Sequence, residues 1–354
     1  MALENVGSPD APTFGLDTFG DRGTGPDGVP VSHADAIRQV VAEAELADRL
    51  GLDFFGVGEH HRDDFAVSAP DVVLATIAGR TERIRLGTSV TVLSSDDPVR
   101  VFERFATLDA LSGGRAEVTL GRGSFTESFP LFGLRLEDYE VLFAEKLDLF
   151  AAVLGEQPVT WSGTIRPPLE NQSVYPPTES GRLPAWVGVG GTPQSVVRAA
   201  RYGLPLVIAV IGGSPAQFVP LTDLYRRALT ELGREQLPIS MHSPGHVAET
   251  DELAVEQMFP HQRDAFTKIG RERGWAPYTR EAFDAMTGPT GALFVGSPET
   301  VARKIAWAVR TLGLSRFQLK YSVGTQPNAD RLSSIRLYGE RVVPRVRELL
   351  AEAP

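Results

Sequence analysis

Three short stretches of this chain carry residue types that can do chemistry. Glu59-His60-His61 places two imidazoles directly after a short apolar run. Adjacent side chains on an extended segment point to opposite faces, so both rings cannot easily grip one ion. The zinc-binding helix spacing and cysteine are both absent, and no metal is expected. One of the two faces a pocket as an acid, a base or a hydrogen-bond donor; a satisfied structural histidine accounts for it equally well. Gly121-Arg122-Gly123-Ser124 sets small residues with exposed N–H groups beside a fixed cation, which suits an anionic ligand. Gly190-Gly191-Thr192-Pro193-Gln194-Ser195 falls between a strand and a helix. Thr192 is expected to cap that helix, whose leading N–H groups and dipole attract phosphate; the plainer account is an ordinary capped turn. Glu59, Glu103 and Glu117 do not make a glycosidase pair, since Glu103 falls within a helix and Glu117 lies mid-strand.

Composition narrows the classes. The chain has 354 residues, 35 basic and 45 acidic, for a net charge of −10. No basic tract offsets that charge, so no nucleic-acid partner is expected. The absence of cysteine removes thiol chemistry and fits a reducing compartment. No apolar run reaches the roughly 18–20 residues that cross a bilayer. The first residues lack the charged-then-apolar pattern of a signal peptide, and a cytoplasmic enzyme is the expectation.

The elements that must position these residues alternate along the chain. After a flexible lead-in over residues 1–12, a first strand covers 13–19. Ser32 caps a helix, with Asp35 placed as the acid of a capping box. A second strand at 53–57 runs into Glu59-His60-His61, and a helix covers 69–80. Arg83 to Val92 reads as one strand, with β-branched residues at alternating positions. Asp97-Pro98 starts the next helix, because proline at the first helical position forfeits no bond. Arg115 to Leu120 is the fourth strand, 137–154 a helix, and 155–183 an irregular excursion. Strands begin at 183, 204, 238 and 316. Residues 251–292 are read as irregular and too long for an ordinary connection, hence a lid between the seventh strand and its helix.

Eight strand-then-helix units in one pass predict an α/β (β/α)8 barrel, a single domain over 13–354. The unusual residues all follow strands, so they gather at the C-terminal rim of such a barrel, where active sites form. A doubly wound dinucleotide fold is the alternative, but Gly188 and Gly190 would need a glycine where Pro193 stands.

With these elements in place, the segments LDFFGVGEHH, RIRLGTSVTVLSSDDPVRVFERFATLDALSGGRAEVTLGRGSFTESF, LPAWVGVGGTPQSVVRAARYGLP and FVGSPETVARKI together resemble the bacterial-luciferase-like monooxygenases. The likeness runs from about Thr13 to Leu350. It implies a flavin-dependent barrel using reduced FMN and oxygen on a small, largely apolar organic substrate. A separate NAD(P)H flavin reductase would deliver the electrons. It implies a catalytic role for His60 and a phosphate grip by Arg122, Gly123, Ser124, Gly190, Gly191, Thr192 and Ser195. Ser89-Val90 falls on a peptide, often cis, that lies beneath the flavin ring. The same resemblance implies a homodimer through helices near 69–80 and 98–111. Luciferase carries a reactive cysteine where this chain has Gly121, and an acid where it has Gly191; light emission is not expected. A deazaflavin (F420)-dependent dehydrogenase of the same fold, and a flavin-binding barrel without catalysis, are the alternatives.

Overall fold

The computed structural model describes residues 7–123 and 125–352. Its barrel strands form one parallel ring. In chain order the barrel strands are β1 (Thr13–Thr18), β2 (Phe54–Val57), β3 (Arg85–Thr88), β4 (Thr91–Val92), β5 (Val118–Gly121), β8 (Ala185–Val189), β9 (Leu206–Ala209), β10 (Ile239–Val247) and β12 (Arg316–Lys320). They neighbour one another in the order β3-β2-β1-β12-β10-β9-β8-β5-β4. The ring closes where Leu86 of β3 bridges Ala116, with Leu86 N–H on Arg115 O and Glu117 N–H on Leu86 O. The stretch read as one strand over 83–92 is two, β3 and β4, separated at the cis Ser89–Val90 peptide. Counting those halves together, the barrel has the eight positions that the alternation predicts.

Helices α1 (His33–Arg49), α2 (Pro70–Ala78), α3 (Pro98–Ser112), α5 (Tyr139–Val153), α6 (Pro193–Tyr202), α7 (Val219–Glu231) and α10 (Pro298–Leu312) surround the ring. Their starts follow the sequence signals. Asp97 accepts from Val99 N–H at 2.9 Å, and Ser32 accepts from Asp35 N–H at 3.0 Å. The closing segment is helical from α11 (Asn328–Leu337) to α12 (Val343–Ala351), with one wider π turn at Tyr338–Val342 between them. The described helices include none long and apolar enough to cross a membrane.

Two expected irregular stretches are ordered. Within 155–183, β6 (Val159–Trp161) and β7 (Leu169–Gln172) pair antiparallel as a small separate sheet. Only Val159 and Trp161 are buried there, so the short strands leave little alternation to read. Residues 251–292 are chiefly two helices, α8 (Asp251–Arg273) and α9 (Arg280–Thr287). Pro260 falls inside α8 and the polar Gln262 sits in its buried row, which together break the helical pattern. β10 is also longer than expected, running on to Val247, where its last residues pair with β11 (Phe294–Gly296). Thus α8, α9 and β11 form an insertion between β10 and α10, with its own apolar cluster of Ala254, Met258, Phe283, Leu293 and Val295.

The N-terminal end of the barrel is plugged by charge. Glu117 accepts from Arg316 Nη1 at 2.9 Å, Arg85 Nε at 3.1 Å and Trp186 Nε1 at 2.6 Å. Arg316 in turn lies over the rings of Phe54 and Trp186, at 4.6 and 4.9 Å. This places Glu117 at the floor, away from the rim.

Candidate active site

The opposite, C-terminal end of the barrel opens into a cavity of about 460 Å³, within the range of small-molecule sites. Its walls come from the turns after strands and from α8. His60, Ser89, Val90, Arg122, Gly123 and Gly190 all line it. Ser124 lies outside the described residues. Gly191, Thr192 and Ser195 do not line the cavity itself; they sit beside it, at the start of α6.

The residues expected to grip an anion come together from two strand ends. Arg122 follows β5, and its Nη2 reaches Ser195 Oγ at 3.3 Å and Thr192 Oγ1 at 3.5 Å. Thr192 occupies the N-cap position, yet its side chain makes no cap bond. Its hydroxyl donates instead to Ser195 Oγ at 2.8 Å, leaving the leading amides of α6 without that internal acceptor. This corrects the expected cap. Sequence reasoning also missed two residues here. Glu140 of α5 pairs with Arg122 and lies 3.8 Å from Arg198 of α6. Arg198 Nη1 is buried without a hydrogen-bond partner. The carboxylate of Glu140 therefore stands between two guanidiniums, as an anionic ligand group would.

Glycines let backbone crowd this end of the barrel. Gly123 has φ +75°, a left-handed conformation that side chains resist. A Cβ on Gly188 would meet Val90 at 3.2 Å, and one on Gly56 would meet Ser89 Oγ at 2.8 Å. Glu59 ties the Ser89–Val90 step from the side: its carboxylate accepts from Val92 N–H at 2.8 Å and meets His61 Nε2 at 3.1 Å.

His60 sits within aromatic rings, with centroids of Phe65, Phe19 and Phe125 at 4.4, 4.6 and 5.3 Å. Burial among them, opposed by Asp21 and reinforced by Lys320, His61 and Arg62, depresses its pKa from 6.5 to about 3. The ring is neutral at working pH. Between pH 6.5 and about 3 the unfolded chain binds a proton at this position that the folded chain does not. Stability therefore falls as pH drops through that window, by at most about 1.4 kcal/mol per pH unit from this group. His60→Phe is expected to reduce the difference between urea midpoints at neutral and mildly acidic pH; an unchanged difference counts against this assignment.

Beneath these rings lies a polar set that sequence reasoning did not single out. His242 of β10 meets Asp17 of β1, Nδ1 to Oδ2, at 2.6 Å. Lys320 Nζ donates to Asp21 Oδ2 at 2.9 Å and lies 4.6 Å from the Phe19 ring centre. The partners are hundreds of residues apart in sequence, and only barrel closure brings β1, β10 and β12 together. No local signal could have found them.

The roof is the cavity face of α8: Gln262, Ala265, Phe266, Ile269 and Arg273. An ionic latch holds it down. Arg62 bonds Glu272 at 2.7 Å, Asp64 at 3.1 Å and also Glu127, while Lys268 pairs with Asp64. The expected lid is thus helical, and it is tied to the turns after β2 and β5.

The profile of the luciferase-like monooxygenases matches residues 15–316. The chain belongs to the luciferase-like monooxygenase family. Among family relatives, it is 34% identical over 223 residues to 4-hydroxyprotoasukamycin monooxygenase of Streptomyces nodosus subsp. asukaensis, covering 61% of this chain and 60% of that one. In fold it is similar to the oxygenating constituent of 3,6-diketocamphane monooxygenase from Pseudomonas putida, solved in complex with FMN. That match has TM-score 0.75 and 17% identity, covering 94% of this chain and 98% of the other. It is also similar to an F420-dependent secondary alcohol dehydrogenase, with TM-score 0.72 and 18% identity over 95% and 99% of the two chains. As a luciferase-like family member the protein is an oxidoreductase. Among its described residues, no group of three or more histidine, aspartate or glutamate side chains could hold a metal ion.

Proposed function

We propose that the protein is an FMN-dependent monooxygenase acting with oxygen on a small, largely apolar organic substrate. The observation that carries this is the meeting of Arg122 with Thr192 and Ser195 beside a cavity at the C-terminal end of the barrel. Arg122, Arg198 and the first amides of α6 would hold the phosphate, in the place where Glu140 now stands. The Arg198 nitrogen that lacks a partner fits such a group. When bound, FMN supplies the two-electron transfer and the reaction with oxygen. The chain supplies the rest. Val90, Gly121 and Gly188 offer a close, apolar surface for a planar ring. Phe65, Phe125, Phe266 and Ile269 favour an apolar substrate. The latched α8 excludes water.

The anion grip also suits the phosphate of F420, and the resemblance to an F420-dependent dehydrogenase supports that second reading. As the family resemblance implies, a separate NAD(P)H flavin reductase would provide reduced flavin. Val72 on α2 and Leu111 on α3 are 63% and 62% exposed, which supports a homodimer through those helices. Titration of the apoprotein with FMN, reduced FMN and F420 tests the function. Saturable binding of either flavin supports it, preference for F420 moves it to the dehydrogenase reading, and binding of none overturns both.

A further inference from the structure

Three imidazoles line the cavity, those of His60, His61 and His242; His61 meets the partly buried Glu59, and His242 meets the fully buried Asp17. His60 packs against three phenyl rings and stays partly exposed. His242 is more deeply buried and held by a carboxylate. It lines the cavity, is only 6% exposed, and is anchored through Nδ1 to a carboxylate that is fully buried. A carboxylate can only accept a hydrogen bond, so Nδ1 carries the hydrogen and Nε2 presents its lone pair. Asp17 Oδ1 has no hydrogen-bond partner of its own. A buried charge with so little other support is costly unless something pairs with it; an imidazolium at His242 would do so.

The surroundings add no competing charge at the same level. Beside His242 in register are Ala209 of β9 and Gln318 of β12. Gln262 is the uncharged member of α8 that also lines the cavity. The charged residues that line the same cavity are Asp21, Glu59, Arg122, Glu127, Arg273 and Lys320; Lys320, two residues further along β12, is already committed to Asp21. Phe19 stacks on the His242 ring with centroids 5.8 Å apart and planes 16° apart, which limits the ring's rotation.

We propose that His242 is the proton-transfer residue of this site and that Asp17 positions it. The inference rests on the oxidoreductase reading above. In the forward step the bond from hydrogen to a substrate oxygen or nitrogen breaks and an Nε2–H bond forms. The bonding electrons stay on the substrate atom, and the imidazolium charge is matched by Asp17. In the return step Nε2 gives the proton to an oxygen atom in the cavity. The two-electron change belongs to the cofactor and oxygen, and His242 moves only the proton.

Two measurements on the full chain test this. The first needs no cofactor: NMR of protein labelled at its histidine ring nitrogens. The expected result is an Nδ1–H tautomer at His242 in the wild type, with that preference weakened in Asp17→Asn, whose amide can donate to or accept from Nδ1. An Nε2–H tautomer in the wild type overturns the proposal, and that reading stands even if the variant does not fold. The second mixes oxygen with protein holding reduced FMN and follows flavin oxidation against pH. Each event passes two electrons to oxygen to give hydrogen peroxide and, from the flavin monoanion, takes up one proton. The wild type should show one ionisation that His242→Gln abolishes, and His33→Gln, at the surface, should retain it. A profile unchanged in His242→Gln overturns the proposal. If the wild type binds no FMN, the functional reading fails and the tautomer alone decides the role of His242.

Discussion

Arg122→Ala is expected to weaken FMN binding to the apoprotein about 10- to 150-fold, the loss of roughly 1.5–3 kcal/mol that goes with one charge-assisted hydrogen bond. The guanidinium lies close enough to Thr192 and Ser195, at 3.5 and 3.3 Å, for one phosphate to reach all three. Its removal leaves Arg198 and the helix amides, so binding should weaken and persist. Glu140→Gln should act in the opposite direction. In the ligand-free protein that carboxylate occupies both arginines, and an incoming phosphate must displace it. Fluorescence quenching of FMN reads both variants. Equal affinity in Arg122→Ala and the wild type would remove the phosphate from this corner of the barrel. Because the contact is ionic, the difference between the two proteins should shrink as salt is added.

Glu117→Ala should cost about 3–5 kcal/mol of stability, the usual penalty for removing one partner of a buried ion pair. Arg316 is only 1% exposed, and one of its nitrogens already lacks a partner. Without Glu117 it would hold a charge between Phe54 and Trp186 with no carboxylate to oppose it. A loss of that size is a large share of the ~5–15 kcal/mol that typically holds a domain together. The native pair also sets a pH dependence. Burial alone would raise the Glu117 pKa, but Arg316 and Arg85 outweigh it and hold the carboxyl below its usual 4.5. The stabilisation from this group is therefore present above about pH 4.5 and drains away as pH falls through its lower folded value. Urea unfolding of the variant against the wild type measures the first effect, and its acid dependence the second. A variant within about 1 kcal/mol of the wild type, as surface changes usually are, would show that the plug is not holding the barrel floor.

The charged floor and the rim that carries Arg122 and Thr192 show how far residue order alone can be read. Barrel architecture was legible because strand-then-helix alternation is a local pattern. Several helix starts were signalled by neighbours a few residues away, as with Asp97-Pro98 and Ser32. The rim position of Arg122 and Thr192 followed from the same alternation, since turns after parallel strands must share one end. That inference needed no knowledge of distances, and the structure places the two groups within 3.5 Å.

Other features depend on which strands become neighbours when the ring closes. Asp17 and His242 are 225 residues apart, and neither sits in a motif, so only the β1-β12-β10 order unites them. The electrical neutrality of His60 has the same origin. Its own segment contains Glu59 and His61, but the Phe19 and Phe125 rings that help bury it come from other turns. The helical lid was hidden by Pro260 and Gln262, which break the local pattern although packing against the insertion's own core sustains the helix. Local propensity and capping act over a few residues and can be read from order; burial, and the charge state that burial imposes, arise from contacts that the chain makes only once it has folded.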